Sequence, residues 1–225
     1  MKRGQNGFTL IELVIVLTVL MVLAGAAAPL LSKALERERI SATLEEMEVL
    51  RRASLDYFRD TMRLPRKALD LVRDPRVPGW AGPYVSGGYD RKKGGRGSDL
   101  ELDAWGRPYV FQLRKGVLKL RSAGPDGQSG KDPDFVLTCD PTPIRRAWTL
   151  DRLERINAAI LAWNRHNLPR NPLPPNYPVL LKRLVNSGYL PAYEPFLKDG
   201  WGQVYVPDPP GRMPVAAVTS RRFLD

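Results

Sequence analysis

The chain has 225 residues, 43% of them hydrophobic, which is enough for a packed core in one or two small domains. A single cysteine, Cys139, excludes an internal disulfide and reads as a packed lone thiol, and a single histidine, His166, excludes histidine-based triads and multi-histidine metal sites. The formal net charge of +11 suits an anionic partner or a membrane surface, but it is spread along the chain, so nucleic acid is not an expected partner.

The first informative stretch is Gly7-Phe8-Thr9-Leu10-Ile11-Glu12, followed by 19 residues, Leu13 to Leu31, without a charge. That length suffices for a helix to cross the hydrocarbon of a bilayer. Lys2 and Arg3 precede it with no acid, which keeps the leader cytoplasmic and sends the rest of the chain outward. Glu12 sits inside the apolar segment, where a charge costs about 2.5 kcal/mol or more, so it calls for a partner or a role. An ordinary secretory signal would place a small-residue cleavage site after the apolar run, and no clear one follows it here. At these residues the chain resembles the type IV pilin and pseudopilin family, whose leader ends in glycine before Phe-Thr-Leu-Ile-Glu and an apolar helix. The resemblance implies that a prepilin peptidase cuts between Gly7 and Phe8 and methylates the new amine of Phe8. Pro29 matches a proline common in that family.

After Pro29, Ile40, Leu44, Met47, Leu50, Tyr57 and Phe58 recur at helical spacing, and Pro65 ends the pattern. One helix from Phe8 to Asp60 would be about 80 Å long, with Pro29 kinking it or melting a turn. Glu36-Arg37-Glu38-Arg39 reads as a solvated collar, and Glu48 with Arg52 as a helical ion pair. Residues 65–101, rich in Pro, Gly and charge, read as loop with a short helix over Lys67–Val72. A turn at Asp103–Tyr109 leads into a hairpin, Tyr109–Leu113 and Val117–Arg121, whose apolar face is expected to cover the helix.

Asp126, Asp132 and Asp134 then lie in a glycine-rich loop over residues 122–134. Ca²⁺ takes several oxygens from flexible loops of this kind, although Asp, Gly and Ser also simply make turns. The order of helix, Asp-Ala-Trp-Gly-x-Pro-Tyr, hairpin and Ser-Ala-Gly-x-Asp-Gly resembles the major pseudopilin of type II secretion systems. That resemblance implies calcium held by Asp126, Asp132 and Asp134. The loop is shorter than is usual in that family, and Lys131 and Pro133 intrude.

From Thr142 the pattern begins again. Leu150, Leu153, Ile156, Ile160 and Trp163 predict a second amphipathic helix, ended by Leu168-Pro169 as Leu64-Pro65 ended the first. Gly188-Tyr189 stands where Gly82-Pro83-Tyr84 stood, and Asp199–Tyr205 repeats the Asp, Trp, Gly and Tyr spacing of Asp103–Tyr109. Val204–Val206 and Val215–Thr219 read as a second hairpin. Residues 142–225, with 12 basic and 6 acidic side chains, read as a degenerate copy of the globular module without membrane helix or calcium loop. Chance recurrence of small-domain turns is the alternative.

The expected fold is α+β, pilin-like: a long N-terminal transmembrane helix packed on a small antiparallel β-sheet, plus the second module. Its parts are a leader (1–7), a transmembrane and assembly helix (8–31), a globular domain (32–141) and the second module (142–225). No nucleophile with a base and no paired-carboxylate cleft is visible, so no enzyme is expected. The resemblance implies a structural subunit of a type II secretion pseudopilus, a polymer of this chain with minor pseudopilins. It would be served by prepilin peptidase, an inner-membrane platform protein and an assembly ATPase. The expected location is the bacterial inner membrane, crossed once, with the C-terminal domains in the periplasm. A minor pilin of a type IV pilus or DNA-uptake machine, with the basic second module as a binding domain, is the alternative.

Overall fold

The structure is a computed structural model that describes residues 10–85, 101–128, 130 and 134–224, and within the first helix omits the side chains of Ala24 and Ala26 to Ala28. The expected processing residues Gly7 and Phe8, and the proposed calcium ligand Asp132, lie outside the described residues.

Helix α1, Leu10–Thr61, has 52 residues and therefore extends about 78 Å. It runs unbroken through Pro29, so the expected melted turn is absent. Removing one backbone donor leaves the hydrogen bonds of the flanking residues in place. The helix stops where Met62 turns into the left-handed region at φ 54°, and Thr61 Oγ1 donates to Tyr57 O (2.7 Å) in the last turn.

The two halves of α1 differ. Along the first, Leu10 is 82% exposed and Met21 73%, with Leu13 to Leu23 exposed between and beyond them. Among the described residues no helix is long and apolar enough to cross a membrane. Along the second half, Met47, Leu50, Ala53, Tyr57 and Phe58 are buried. Leu44, expected on that stripe, is exposed, and Thr43 beside it is buried. The displacement has a cause: Thr43 Oγ1 accepts the N–H of Ala104 (3.2 Å), which turns the helix face by one residue.

A three-stranded antiparallel sheet, in the order β1 (Val110–Arg114), β2 (Val117–Ser122) and β3 (Phe135–Cys139), covers this half. Lys115 and Gly116 join the first two strands with φ of 50° and 77°, the pair of positive values that a type I′ hairpin turn requires. Strand β3 was not anticipated. Its Leu137 lies opposite Leu120, its Cys139 opposite Leu118, and it packs on α1 together with β2. The core joins Met47, Leu50, Tyr57, Leu71, Leu118 and Leu120. The short helix expected near residue 70 is a single 3₁₀ turn, Ala68–Leu71.

From Cys139 the chain passes through Asp140-Pro141 directly into α2 (Thr142–Asn167), then α3 (Tyr177–Asn186) and a one-turn α4 (Glu194–Leu197). A two-stranded sheet follows, β4 (Val206–Asp208) with β5 (Ala217–Thr219). Helices α3 and α4 were not anticipated, and β4 starts two residues later than expected. Asn176 caps α3 by accepting the Val179 N–H (3.3 Å), and Pro178 occupies its first turn. This region has its own core around Ile156, Ile160, Leu180, Leu184 and Val218. Leu150 is exposed and Thr149 buried, the same one-residue displacement as in α1.

Candidate functional site

The first globular region is organised around a buried carboxylate. Asp103 Oδ1 accepts the N–H groups of Trp105 (3.0 Å) and Arg107 (2.9 Å), and Oδ2 accepts the Ser122 hydroxyl (2.6 Å). Asp103 and Ser122 are 4% and 0% exposed, so the turn before β1 is tied to the end of β2 away from water. Gly106 supplies the positive φ (77°) that closes the turn.

This clasp positions the acidic loop that follows Ser122. The Arg107 guanidinium donates to the carbonyls of Gly124 and Pro125, and lies so close to Gly127 that a side chain there would collide with it. Trp105 stacks on Phe135, where the loop re-enters the sheet (6.1 Å, 10°). Within the loop, Asp126 Oδ1 accepts the Gln128 N–H (2.9 Å). Asp134 Oδ2 accepts the Gly130 N–H (2.6 Å) and lies 3.7 Å from Arg121, while its Oδ1 is buried without a partner among the described residues. No group of three His, Cys, Asp or Glu able to hold a metal occurs among the described residues.

Of the other anticipated residues, Glu12 lies in the first turn of α1 and is exposed, and Pro29 is inside the helix. Glu48 pairs with Arg52 as expected (3.0 Å) and also with Arg51 (2.7 Å). The hydrogen bonds from Arg51 and then Arg52 pull the Glu48 carboxyl down to about 2. Cys139 is fully buried, and burial pushes its thiol up to about 11, which suits a packing role.

The clasp occurs twice. Asp199 Oδ1 accepts Trp201 N–H (2.9 Å) and Gln203 N–H (2.8 Å), Oδ2 accepts the Ser220 hydroxyl (2.6 Å), and Gly202 has φ 82°. Thr149 Oγ1 accepts the Gly200 N–H (2.8 Å), as Thr43 does for Ala104. The buried residues Leu153, Ile156, Ala159 and Trp163 each stand 106 positions after Met47, Leu50, Ala53 and Tyr57. Helix ends Thr61 and Asn167 differ by the same 106. Tyr84 meets Tyr57 edge-on at 5.6 Å, and Tyr189 meets Trp163 edge-on at 5.4 Å. The sequence signal for the turn was visible, but neither the serines nor the threonines were recognised as its partners.

Comparison with known proteins bears on the first part of the chain. The Prokaryotic N-terminal methylation motif matches residues 2–28. Type II secretion system core protein G of Aeromonas hydrophila is 32% identical over 139 residues, covering 60% of this chain and 92% of that protein. The proteins of the same name from Escherichia coli K12 and Pseudomonas aeruginosa are 32% and 29% identical, with 90% and 89% of their lengths covered. No solved structure matches. A long N-terminal helix carried on a small antiparallel sheet, behind a methylation motif, defines a pilin-like protein. Within that class the chain belongs to the family of type II secretion system core protein G.

Proposed function

We propose that this chain is a structural subunit of a type II secretion pseudopilus, anchored by the first half of α1 in the bacterial inner membrane with the rest in the periplasm. The observation that carries the reading is the methylation motif over residues 2–28, joined to an apolar helix half left exposed by the globular part. Such a surface needs lipid before assembly and neighbouring helices after it. Head-to-tail contacts between identical chains do not close, which produces a fibre. Prepilin peptidase cuts between Gly7 and Phe8 and methylates Phe8, and a platform protein, an assembly ATPase and minor pseudopilins complete the machine. Mass spectrometry of the native protein tests the processing step. The expected N-terminus is N-methylated Phe8, accumulating as uncut precursor when Gly7 is replaced by a bulky residue. An intact Met1 in functional fibres contradicts it.

The acidic loop supports a calcium site formed by Asp126, Asp132 and Asp134. The buried Oδ1 of Asp134, without a partner among the described residues, would suit a cation, while the nearby guanidinium of Arg121 supplies part of the same charge. Calcium would cross-link the loop to the sheet. Bound calcium should raise the melting temperature of the full-length protein relative to chelator. Alanine at Asp134 should abolish the difference, and equal melting in both buffers would leave the loop as a turn held by Arg107 and Arg121.

Residues 142–225 are, in this proposal, a second copy of the globular module, starting where α1 leaves its apolar half. The paired clasps and the constant 106-residue spacing along the two helices support that reading. Lacking an apolar helix half of its own, this copy rides on the outside of the fibre.

A further inference from the structure

At the end of α1 remote from the apolar half, a cavity of about 810 Å³ opens between the helix, the segment after it and the tip of β1. Four cationic side chains line it: Arg63, Arg66, Lys67 and Arg76. No ion-pair partner is found for any of them among the described residues. The one acid in the lining, Asp70, is committed to the chain itself, since its Oδ2 accepts the Arg66 backbone N–H (2.8 Å). Elsewhere this protein does tie such groups down. In the C-terminal region, Arg183 donates to Asn171 Oδ1 (3.1 Å) and to Pro172 O (3.0 Å).

The backbone holds the cations at some cost. Arg76 stands in the left-handed region at φ 61°, fixed by its N–H on Asp74 Oδ1 (2.7 Å), and Arg63 directly follows the left-handed Met62. Strained positions of this kind persist where the surroundings impose them, and they concentrate at binding sites.

We infer that this cavity is a binding site for an acidic peptide segment, with carboxylates on the guanidiniums and an apolar side chain on the floor. Three of the four cations are arginines, whose planar forks match carboxylates two bonds at a time. Leu64, Val77 and Leu113 make the floor apolar, which suits a peptide better than a bare inorganic anion. The acidic surface of the anchoring membrane is out of reach. The 30 residues of helix between Leu31 and Thr61 span about 45 Å, several times the Debye length of about 8 Å at physiological salt. On the pseudopilus reading, which the choice of a peptide over a membrane rests on, the site faces the compartment in which exported or partner proteins would be met. The binding measurement on the isolated protein tests the site apart from that reading.

The probe is a fluorescein-labelled Glu-Leu-Glu-Leu-Glu peptide, titrated by anisotropy against the full chain in detergent micelles, beside a Gln-Leu-Gln-Leu-Gln counterpart. The acidic peptide should bind and the amide peptide should not. Arg63→Gln with Arg76→Gln should weaken binding at least tenfold without moving the melting temperature, since both side chains are exposed. Arg212→Gln with Arg221→Gln, which removes the same charge elsewhere, should leave binding unchanged. Equal loss from the two double variants would mean diffuse charge and overturn the site. Binding of pyrophosphate in place of the acidic peptide would overturn the peptide assignment.

Discussion

The two globular regions share a clasp and differ at the sheet edge. In the first, β3 lies beside β2, with Leu137 opposite Leu120. In the second, β5 has only β4 as a neighbour among the described residues. Val218, 98 positions after Leu120, instead gives its N–H to Asn157 Oδ1 (2.8 Å) and takes the Asn157 amide on its carbonyl (3.1 Å). Asn164 donates likewise to Val215 O (2.8 Å). Two side-chain amides of α2 thus stand in for part of a strand. They also block the edge, where an open strand invites pairing with another chain. The positions 106 earlier in α1 are Arg51 and Phe58, so the asparagines occur only where the third strand does not.

A second difference concerns the tyrosine that closes each turn. The Tyr109 hydroxyl donates to Glu46 Oε2 (2.7 Å), whereas the Tyr205 hydroxyl is buried without a partner among the described residues. The residue 106 positions after Glu46 is Arg152, whose guanidinium instead lies 3.3 Å from the Trp148 ring and donates to Pro195 O. The two clasps thus share their geometry, while the residues around them differ.

The comparison can be broken most forcefully at the clasp. Asp103→Ala and Asp199→Ala each strand three donors, and at about 1 to 3 kcal/mol per unmet buried group each should cost 3 kcal/mol or more. Denaturant unfolding of the full chain checks this. A large loss at only one of the two would mean that the clasps are alike in geometry but not in weight. A smaller effect sharpens the edge argument. Asn157→Ala should cost about 2 kcal/mol and expose the β5 edge, seen as concentration-dependent association of the chain in detergent. Unchanged stability and unchanged association would show that water serves Val218 as well as Asn157 does.

Much of this architecture was legible in advance because it rests on local signals. The leader motif, the helix period from Met47 to Phe58, the Lys115-Gly116 turn and both Asp-Trp-Gly turns are each read within a few residues. What escaped depends on distant partners. Strand β3 is five residues behind a loop of Asp, Gly and Pro, and only its pairing with β2 identifies it. Leu44 and Leu150 fit the apolar period, yet Thr43 and Thr149 are buried, because backbone groups about 50 to 60 residues away need their hydroxyls. Helix α3 begins at Tyr177-Pro178, and a proline near a helix start reads as a breaker unless its place in the first turn is recognised. The loop cation Arg107 was invisible for the same reason, since its acceptors lie 17 and 18 residues away, beyond the hairpin.

Joining the regions, the Arg145 guanidinium lies 4.9 Å from the Phe58 ring and donates to Gly200 O (3.0 Å), so the second clasp is tied to the end of the first helix. The pseudopilus proposal puts assembly at the other end of α1, and on Glu12 in particular. In that proposal a carboxylate within the apolar half would become tolerable in a fibre with the amine of a neighbour's Phe8 beside it, a pairing that would form only at one axial offset. The decisive measurement is the yield of sheared fibre against membrane-bound monomer for Glu12→Val in cells lacking the wild-type copy. Processed, inserted protein that fails to enter fibres or support secretion is the predicted result. Wild-type fibre yield and secretion from Glu12→Val would contradict the account.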